Sequence, residues 1–357
     1  MAIAAVTAAM ALSSCDVHEF PDPPTPPPGD IGRIAIRVHV DDGEMPLHTT
    51  VYYDEESRTR GARADMAWDL RYQVNVYKAS DTPDSRVSTR TPLVSTVITA
   101  EAYDFREQFV YLDLPKGDYR VVVWADNVER NSTSDWFYNT SNFTEIVFPQ
   151  QEGGRVEGNT DYRDAFRGED YFTVTSEQVR STSLERPGSE IDVVADVPLH
   201  RPMAKFRFVT TDLAEFLDKN GIPSHAPGES APELNDYTVL VRYTGYMPCA
   251  YNVFTDKPVD SRLGQWFDAR IRRIDLSDAE LGYDYVFVNG SETSVQVALD
   301  VYLRRTGEKI SGTTPINCPI VRGKITEIRG RFLTTFAEGG VGIDPGFDGE
   351  YNVEVFD

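Results

Sequence analysis

The chain is poor in cysteine. Only Cys15, Cys249 and Cys318 occur in 357 residues, too few for the disulfide framework of a small secreted scaffold. Histidine is nearly as scarce. His18, His39, His48, His200 and His225 stand apart from one another and from cysteine, so no metal-ligand spacing arises. No Gly-rich phosphate loop and no Gly-x-Ser-x-Gly elbow with triad partners is present. Positive charge is also short. Against 57 Asp and Glu stand 35 Lys and Arg, a net charge of -22. Such a surface repels phosphate backbones and anionic lipid, which argues against nucleic acid as a partner. No run beyond the N-terminus is long and apolar enough to span a bilayer. Acidic residues are so numerous that chance pairs are expected, and they carry no glycosidase argument. The expectation is a protein that is not an enzyme and holds no cofactor.

What is present begins at the N-terminus. Residues 1–14 are apolar and small, close on Leu12-Ser13-Ser14, and give way at Cys15 to a polar, proline-rich stretch. A dozen apolar residues suit the core of a secretory signal and are too short for a permanent span. The Ser-Ser-Cys junction resembles the cleavage and lipidation site of a bacterial lipoprotein, with Cys15 as the first mature residue. The tract lacks the Lys or Arg that opens a signal peptide, which leaves the start codon open. Residues 15–30 include Pro21, Pro23, Pro24, Pro26, Pro27 and Pro28. Proline favours extended polyproline II, so this is a semi-rigid spacer of about 45 Å at roughly 3.1 Å per residue.

Past the spacer the hydrophobic period is two. Residues 34–40, 72–77 and 108–114 alternate apolar with mostly polar side chains, as half-buried strands do. Pro115-Lys116-Gly117-Asp118 has turn chemistry, and Tyr119-Arg120-Val121-Val122-Val123-Trp124 returns as a strand whose apolar run suits burial on both faces. Further strands are expected over 191–197, 205–210, 237–243, 294–302, 324–333 and 351–356. Residues 211–219 read as a helix capped by Thr211 or Asp212, with Gly221 just beyond it. A turn of helix is expected over 277–281. Many short strands between Gly, Pro, Asn and Asp indicate an all-β chain of β-sandwiches. At this length two domains are expected. Pro202 disfavours helix at Arg201 and marks a junction. The division is 1–14 signal, 15–30 tether, 31–199 first sandwich and 200–357 second.

Several strings then suggest a family. They are Pro115-Lys116-Gly117-Asp118-Tyr119 leading into Val121-Val122-Val123-Trp124-Ala125-Asp126; Phe137-Tyr138-Asn139-Thr140; Gly158-Asn159-Thr160-Asp161-Tyr162-Arg163-Asp164-Ala165-Phe166; Arg201-Pro202-Met203-Ala204-Lys205-Phe206; and the run from Gly339 to Gly349. In this order the chain resembles the fimbrillin-like lipoproteins of the Bacteroidetes, within them a domain family beside the minor fimbrial anchor proteins. The resemblance implies two tandem Greek-key, transthyretin-like sandwiches. It also implies an outer-membrane lipoprotein at the cell surface, used in fimbrial assembly or adhesion. It carries over no catalytic residue. The partners implied are the membrane, through the lipid, and other fimbrial or surface proteins.

Four candidate sites remain. Arg58, Arg60 and Arg63 form a basic, Gly-containing segment after the first strand. Cleavage there would free residues 34–40 and open a groove for a neighbour's strand; the plain alternative is an exposed loop. Residues 351–356 could donate a strand or complete their own sheet. Trp136-Phe137-Tyr138, beside Asn139 and Asn142, could form an exposed aromatic platform for a glycan, host or dietary, or pack between strands. Asn159, Asp161, Asp164 and Asp170 form a hard-oxygen cluster that could take calcium or stay solvated. Cys249 and Cys318 could pair or remain separate buried thiols.

Overall fold

The computed structural model describes residues 31–41, 68–81, 91–102, 107–181, 191–224, 226, 231–335 and 351–352. Cys15, the proline spacer, Arg58, Arg60, Arg63 and residues 353–356 lie outside them. Among the described residues strand is the dominant regular structure, with two short α-helices.

The first half forms a seven-stranded sandwich. In chain order its elements are β1 (Ile31–Val40), β2 (Trp68–Lys78), β3 (Val94–Glu101), β4 (Gln108–Pro115) and β5 (Gly117–Glu129). A two-residue β6 (Ile146–Val147) follows, then β7 (Ala165–Val174), α1 (Ser176–Ser181) and β8 (Val193–Leu199). One sheet has the order β4-β1-β8, the other β3-β2-β5-β7. Alternation drives this assembly. On β1, Ile34, Ile36 and Val38 are buried while Arg33 and Ile31 are exposed, so the sequence period becomes an inside and an outside. The first strand sits in the middle of its sheet, antiparallel to β4 and parallel to β8. The expected reversal forms, since β4 ends at Pro115, β5 starts at Gly117 and the Tyr119 hydroxyl donates to the Pro115 carbonyl at 2.7 Å. It is not a hairpin: β4 pairs with β1 and β5 with β2 and β7, so the turn carries the chain from one sheet to the other. At the closed side of the sandwich, a Cβ on Gly168 of β7 would lie 2.6 Å from the Pro198 carbonyl of β8, an approach only glycine permits.

The second half contains β9 (Met203–Thr210), α2 (Leu213–Lys219), β10 (Tyr237–Tyr243), β11 (Met247–Asn252), β12 (Lys257–Arg262), β13 (Trp266–Ala269) and β14 (Arg272–Arg273). It continues with β15 (Ala279–Phe287), β16 (Glu292–Leu303), β17 (Glu308–Gly312), β18 (Ile316–Val321), β19 (Ile325–Gly330) and β20 (Tyr351–Asn352). One sheet runs β14-β15-β9-β19-β20; the other runs β13-β10-β16-β17, with β18 also on β16. Residues 351–352, the described start of the expected last strand, pair with β19 of the same chain. Helix α2 ends as expected, with Gly221 at φ +65°. The helix expected over 277–281 is not formed. The Asp275 carboxylate accepts from the Ser277 and Asp278 amides, at 2.9 and 2.7 Å, and this turn launches β15 instead. Within β15, Gly282 has φ +144° at a register shift, and a Cβ there would lie 3.0 Å from that of Ala269.

Two apolar clusters result, and the chain boundary near residue 200 does not separate them. One holds the inner faces of the first sandwich. The other joins the second half to Trp68, Tyr77, Val122, Trp124 and the segment 137–156 of the first half. Strand β5 faces both. Val121 and Val123 point into the first cluster, Val122 and Trp124 into the second, which explains its unbroken apolar run.

Candidate functional site

The site is built on the outer face of β2. Since β-strand side chains alternate, Leu70, Tyr72, Val74 and Val76 enter the sandwich core, and Arg71, Gln73, Asn75 and Tyr77 face the other way. A polar outer row would ordinarily meet water. Here the connection from β5 to β7 folds back over it. The Arg71 guanidinium donates to both Asp126 oxygens at 2.9 and 2.7 Å, to Asp135 at 2.9 Å and to the Thr133 carbonyl at 2.7 Å. Asp135 in turn accepts from the Thr140 amide and hydroxyl, at 2.9 and 2.7 Å. A bidentate arginine so placed fixes the covering loop in register with the sheet. Burial pushes the Asp126 carboxyl up to about 6 against the pull of Arg71.

Beyond this clamp the segment crosses into the second half. Ile146 and Val147 pair with β11. Arg163 pairs with Asp284, and Arg201 grips Asp164 with bonds of 2.8 to 3.0 Å. From the other side comes Phe254, between β11 and β12. Its amide donates to Asn252 at 2.9 Å, and its carbonyl accepts from Arg120 at 3.1 Å. The neighbouring Val253 carbonyl accepts from Arg167 at 2.7 Å. Asp256 receives two bonds from Arg322, at 2.8 and 2.6 Å, and the Tyr251 hydroxyl. Burial pushes the Asp256 carboxyl up, yet the bonds from Arg322 and Tyr251 and the charge of Arg167 outweigh it and hold the group below its usual 3.8. Phe254 is thereby set against Tyr77, ring centres 5.3 Å apart and edge to face.

A cavity of about 440 Å³ remains where β2 and β3, the 140–144 loop and Phe254 meet. Gln73, Asn75 and Tyr77 line it from β2, Ser95 from β3, and Thr144 from the loop. None of its lining residues is charged.

The structure distributes the expected site residues differently. Trp136-Phe137-Tyr138 does not form an exposed platform. Tyr138 is fully buried, its hydroxyl bonded to the Arg163 carbonyl and its ring edge-on to Trp124 at 5.3 Å. Phe137 and the partly buried Trp136 pack on Trp68 at 4.9 and 5.6 Å. The rings find aromatic partners that sequence distance hides, and these outweigh the polar neighbours Asn139 and Asn142. The calcium cluster is likewise taken up by other bonds. Asp161 pairs with Lys205 at 2.6 Å, Asp164 is held by Arg201, Asp170 accepts from the Asp196 amide at 3.1 Å, and the Asn159 side chain accepts from the Tyr283 amide at 3.3 Å. Among the described residues no group of three or more His, Cys, Asp or Glu could hold a metal ion. Cys249 and Cys318 are separate, free and buried. Burial pushes the Cys249 thiol up to about 11, which makes it a poor nucleophile. Sequence reasoning missed Gln73 and Asn75. Their alternation with Tyr72 and Val74 was legible, but not what covers their outer face.

A model described as a family of unknown function, DUF6562, matches residues 33–356. The chain belongs to this family. No curated protein matches it. Among solved structures it is similar to the fimbrial anchor protein Mfa2 from Porphyromonas gingivalis, at 12% identity and a TM-score of 0.38, over 83% of this chain and 90% of that one. It is similar to a fimbrial assembly protein from Parabacteroides distasonis, at 11% and 0.38, over 85% and 92%. A candidate polysaccharide-binding protein from Bacteroides thetaiotaomicron is similar at 10% and 0.42, over 84% and 90%.

Proposed function

We propose that this family member is a non-catalytic contact protein of the outer-membrane surface, a fimbrial anchor, accessory subunit or adhesin. Lipid on Cys15 holds it, the proline spacer lifts it, and its sheet edges and loops do the binding. One observation carries this. Strand β7 lies against β8, so β3 and β4, the terminal strands of the two sheets, bound the opposite side of the sandwich. On β4, Phe109 and Tyr111 are exposed on the outer face of its sheet, with Arg33 over the Tyr111 ring, and Leu93 and Val97 are exposed at β3 of the other sheet. Large exposed apolar chains beside arginine on an edge strand are the usual make-up of a protein contact.

The central place of β1 bears on which contact protein it is. Ile34, Ile36 and Val38 fill the core between β4 and β8, so cleavage at Arg58, Arg60 or Arg63 would open that core to a neighbour's strand. An anchor or stand-alone surface protein keeps β1; a polymerising subunit loses it.

The test is a photo-crosslinking residue at Tyr111, on intact cells. Crosslinks to other surface or fimbrial proteins are expected; a label that never leaves the chain contradicts the reading. Sequencing the N-terminus of the cell-derived protein is expected to give an acylated Cys15. A start near Ala62 or Ala64 would replace the anchor by a stalk subunit.

A further inference from the structure

The cavity over β2 is a separate matter from the sheet edges. Asn75 is buried, and its amide oxygen has no hydrogen-bond partner among the described residues; nor has that of Gln73. Buried amide oxygens are ordinarily satisfied, and leaving one bare costs about 1–3 kcal/mol. Both side chains line the same cavity. Around them stand the hydroxyls of Ser95 and Thr144 and the rings of Tyr77 and Phe254. Nothing charged lines it, and a fully charged ligand would lose its hydration there without a counter-charge. Its volume falls within the range of small-molecule sites, about 300–1,000 Å³.

We infer that this cavity binds a neutral sugar unit. Such a ligand brings several hydroxyl donors, which the two bare amide oxygens lack, and an acceptor for the Ser95 hydroxyl; the Thr144 hydroxyl already donates to Asn142 at 2.8 Å and can accept from the ligand. Its C–H face suits the aromatic rings on the wall. An apolar ligand would leave both oxygens unsatisfied. The construction of the walls fits this use. Phe254 is held by Arg120 and by the Asn252 turn, and Thr140 by Asp135, so the cavity is rigid before a ligand arrives. The sugar could belong to a free polysaccharide or to the glycan of a glycoprotein; the hydroxyl chemistry is common to both.

The full chain is applied to a glycan array carrying neutral and acidic saccharides, both free and as glycopeptides. The best neutral hit is then titrated calorimetrically against the wild-type chain, Asn75→Val and Ser95→Arg. Ser95 is exposed on an edge strand, so its replacement plugs the mouth without touching the core. A neutral hit is expected, with affinity at least tenfold weaker in both variants at unchanged melting temperature. Free polysaccharide and glycopeptide arms then show which source the site prefers. If Asn75→Val does not fold, Ser95→Arg alone decides. Three results overturn the inference: no neutral saccharide bound, binding of acidic saccharides only, or undiminished binding by a folded Ser95→Arg chain. A chain that crosslinks through Tyr111 yet binds no sugar would overturn it and leave the surface-contact reading standing.

Discussion

Strand β2 buries two faces on opposite terms. On one lie Leu70, Tyr72, Val74 and Val76, dry and packed among other apolar chains. On the other lie Arg71, Asn75 and Tyr77, buried nearly as deeply, with the half-buried Gln73 among them, beneath a loop and a phenylalanine from the far half of the chain. The first face gives stability in proportion to area removed from water. The second buries polar groups, whose worth depends on whether each finds a partner. Arg71 does, while the amide oxygens of Gln73 and Asn75 have no partner among the described residues, so the polar face divides into a clamp and a cavity.

The largest effect expected is at the clamp. Arg71→Met leaves Asp126 buried without its counter-ion and should cost about 3–5 kcal/mol in denaturant unfolding. The stranded carboxyl would have a folded pKa raised still further. A raised carboxylate contributes stability that is present below the unfolded value and lost as pH rises through the folded one. The deficit of this variant should therefore be greatest at high pH and shrink on acidification. Arg71→Met with Asp126→Leu should recover most of the loss; a double variant no better than the single would break the clamp account. On the dry face, Leu70→Ala should cost about 2–5 kcal/mol at every pH, because a cavity does not titrate. Asp256 should give a smaller effect. Its folded pKa lies below 3.8, so its contribution is present above that value and lost as pH falls through the folded one. Asp256→Asn should remove that acid-side loss of stability, and an unaltered acid limb of the melting curve would exclude the Arg322 pairing as its source.

The sequence shows the dry face and hides the other. Alternation placed β1, β2, β4 and β5, since each strand carries its period within its own residues, but it does not show that β4 and β5 join different sheets and do not pair as a hairpin. It did not place β3, where Val94-Ser95-Thr96-Val97-Ile98-Thr99 is half-buried and mostly β-branched. Nor did it place β7, where Gly168, Glu169 and Asp170 read as loop chemistry although Gly168 is needed for close approach to β8. The all-strand class survived these misses because the remaining pattern was consistent. The candidate sites fared worse for a physical reason. Along the chain Trp136-Phe137-Tyr138 have polar neighbours, whereas Trp68 and Trp124 decide their burial across it. Asp161 and Asp164 look in the sequence like calcium ligands or a solvated loop, whereas Lys205 and Arg201, some forty residues on, already hold them. Function on this fold depends on contacts between segments distant in the chain.

The measurement that bears most directly on the divided polar face is the unfolding free energy of a Gln73→Leu, Asn75→Val double variant at neutral pH. If these amides serve a ligand and not the fold, removing two side chains whose amide oxygens have no partner among the described residues leaves the chain at least as stable as the wild type. A loss of more than about 2 kcal/mol would mean that the amides hold the structure together, and would contradict the account.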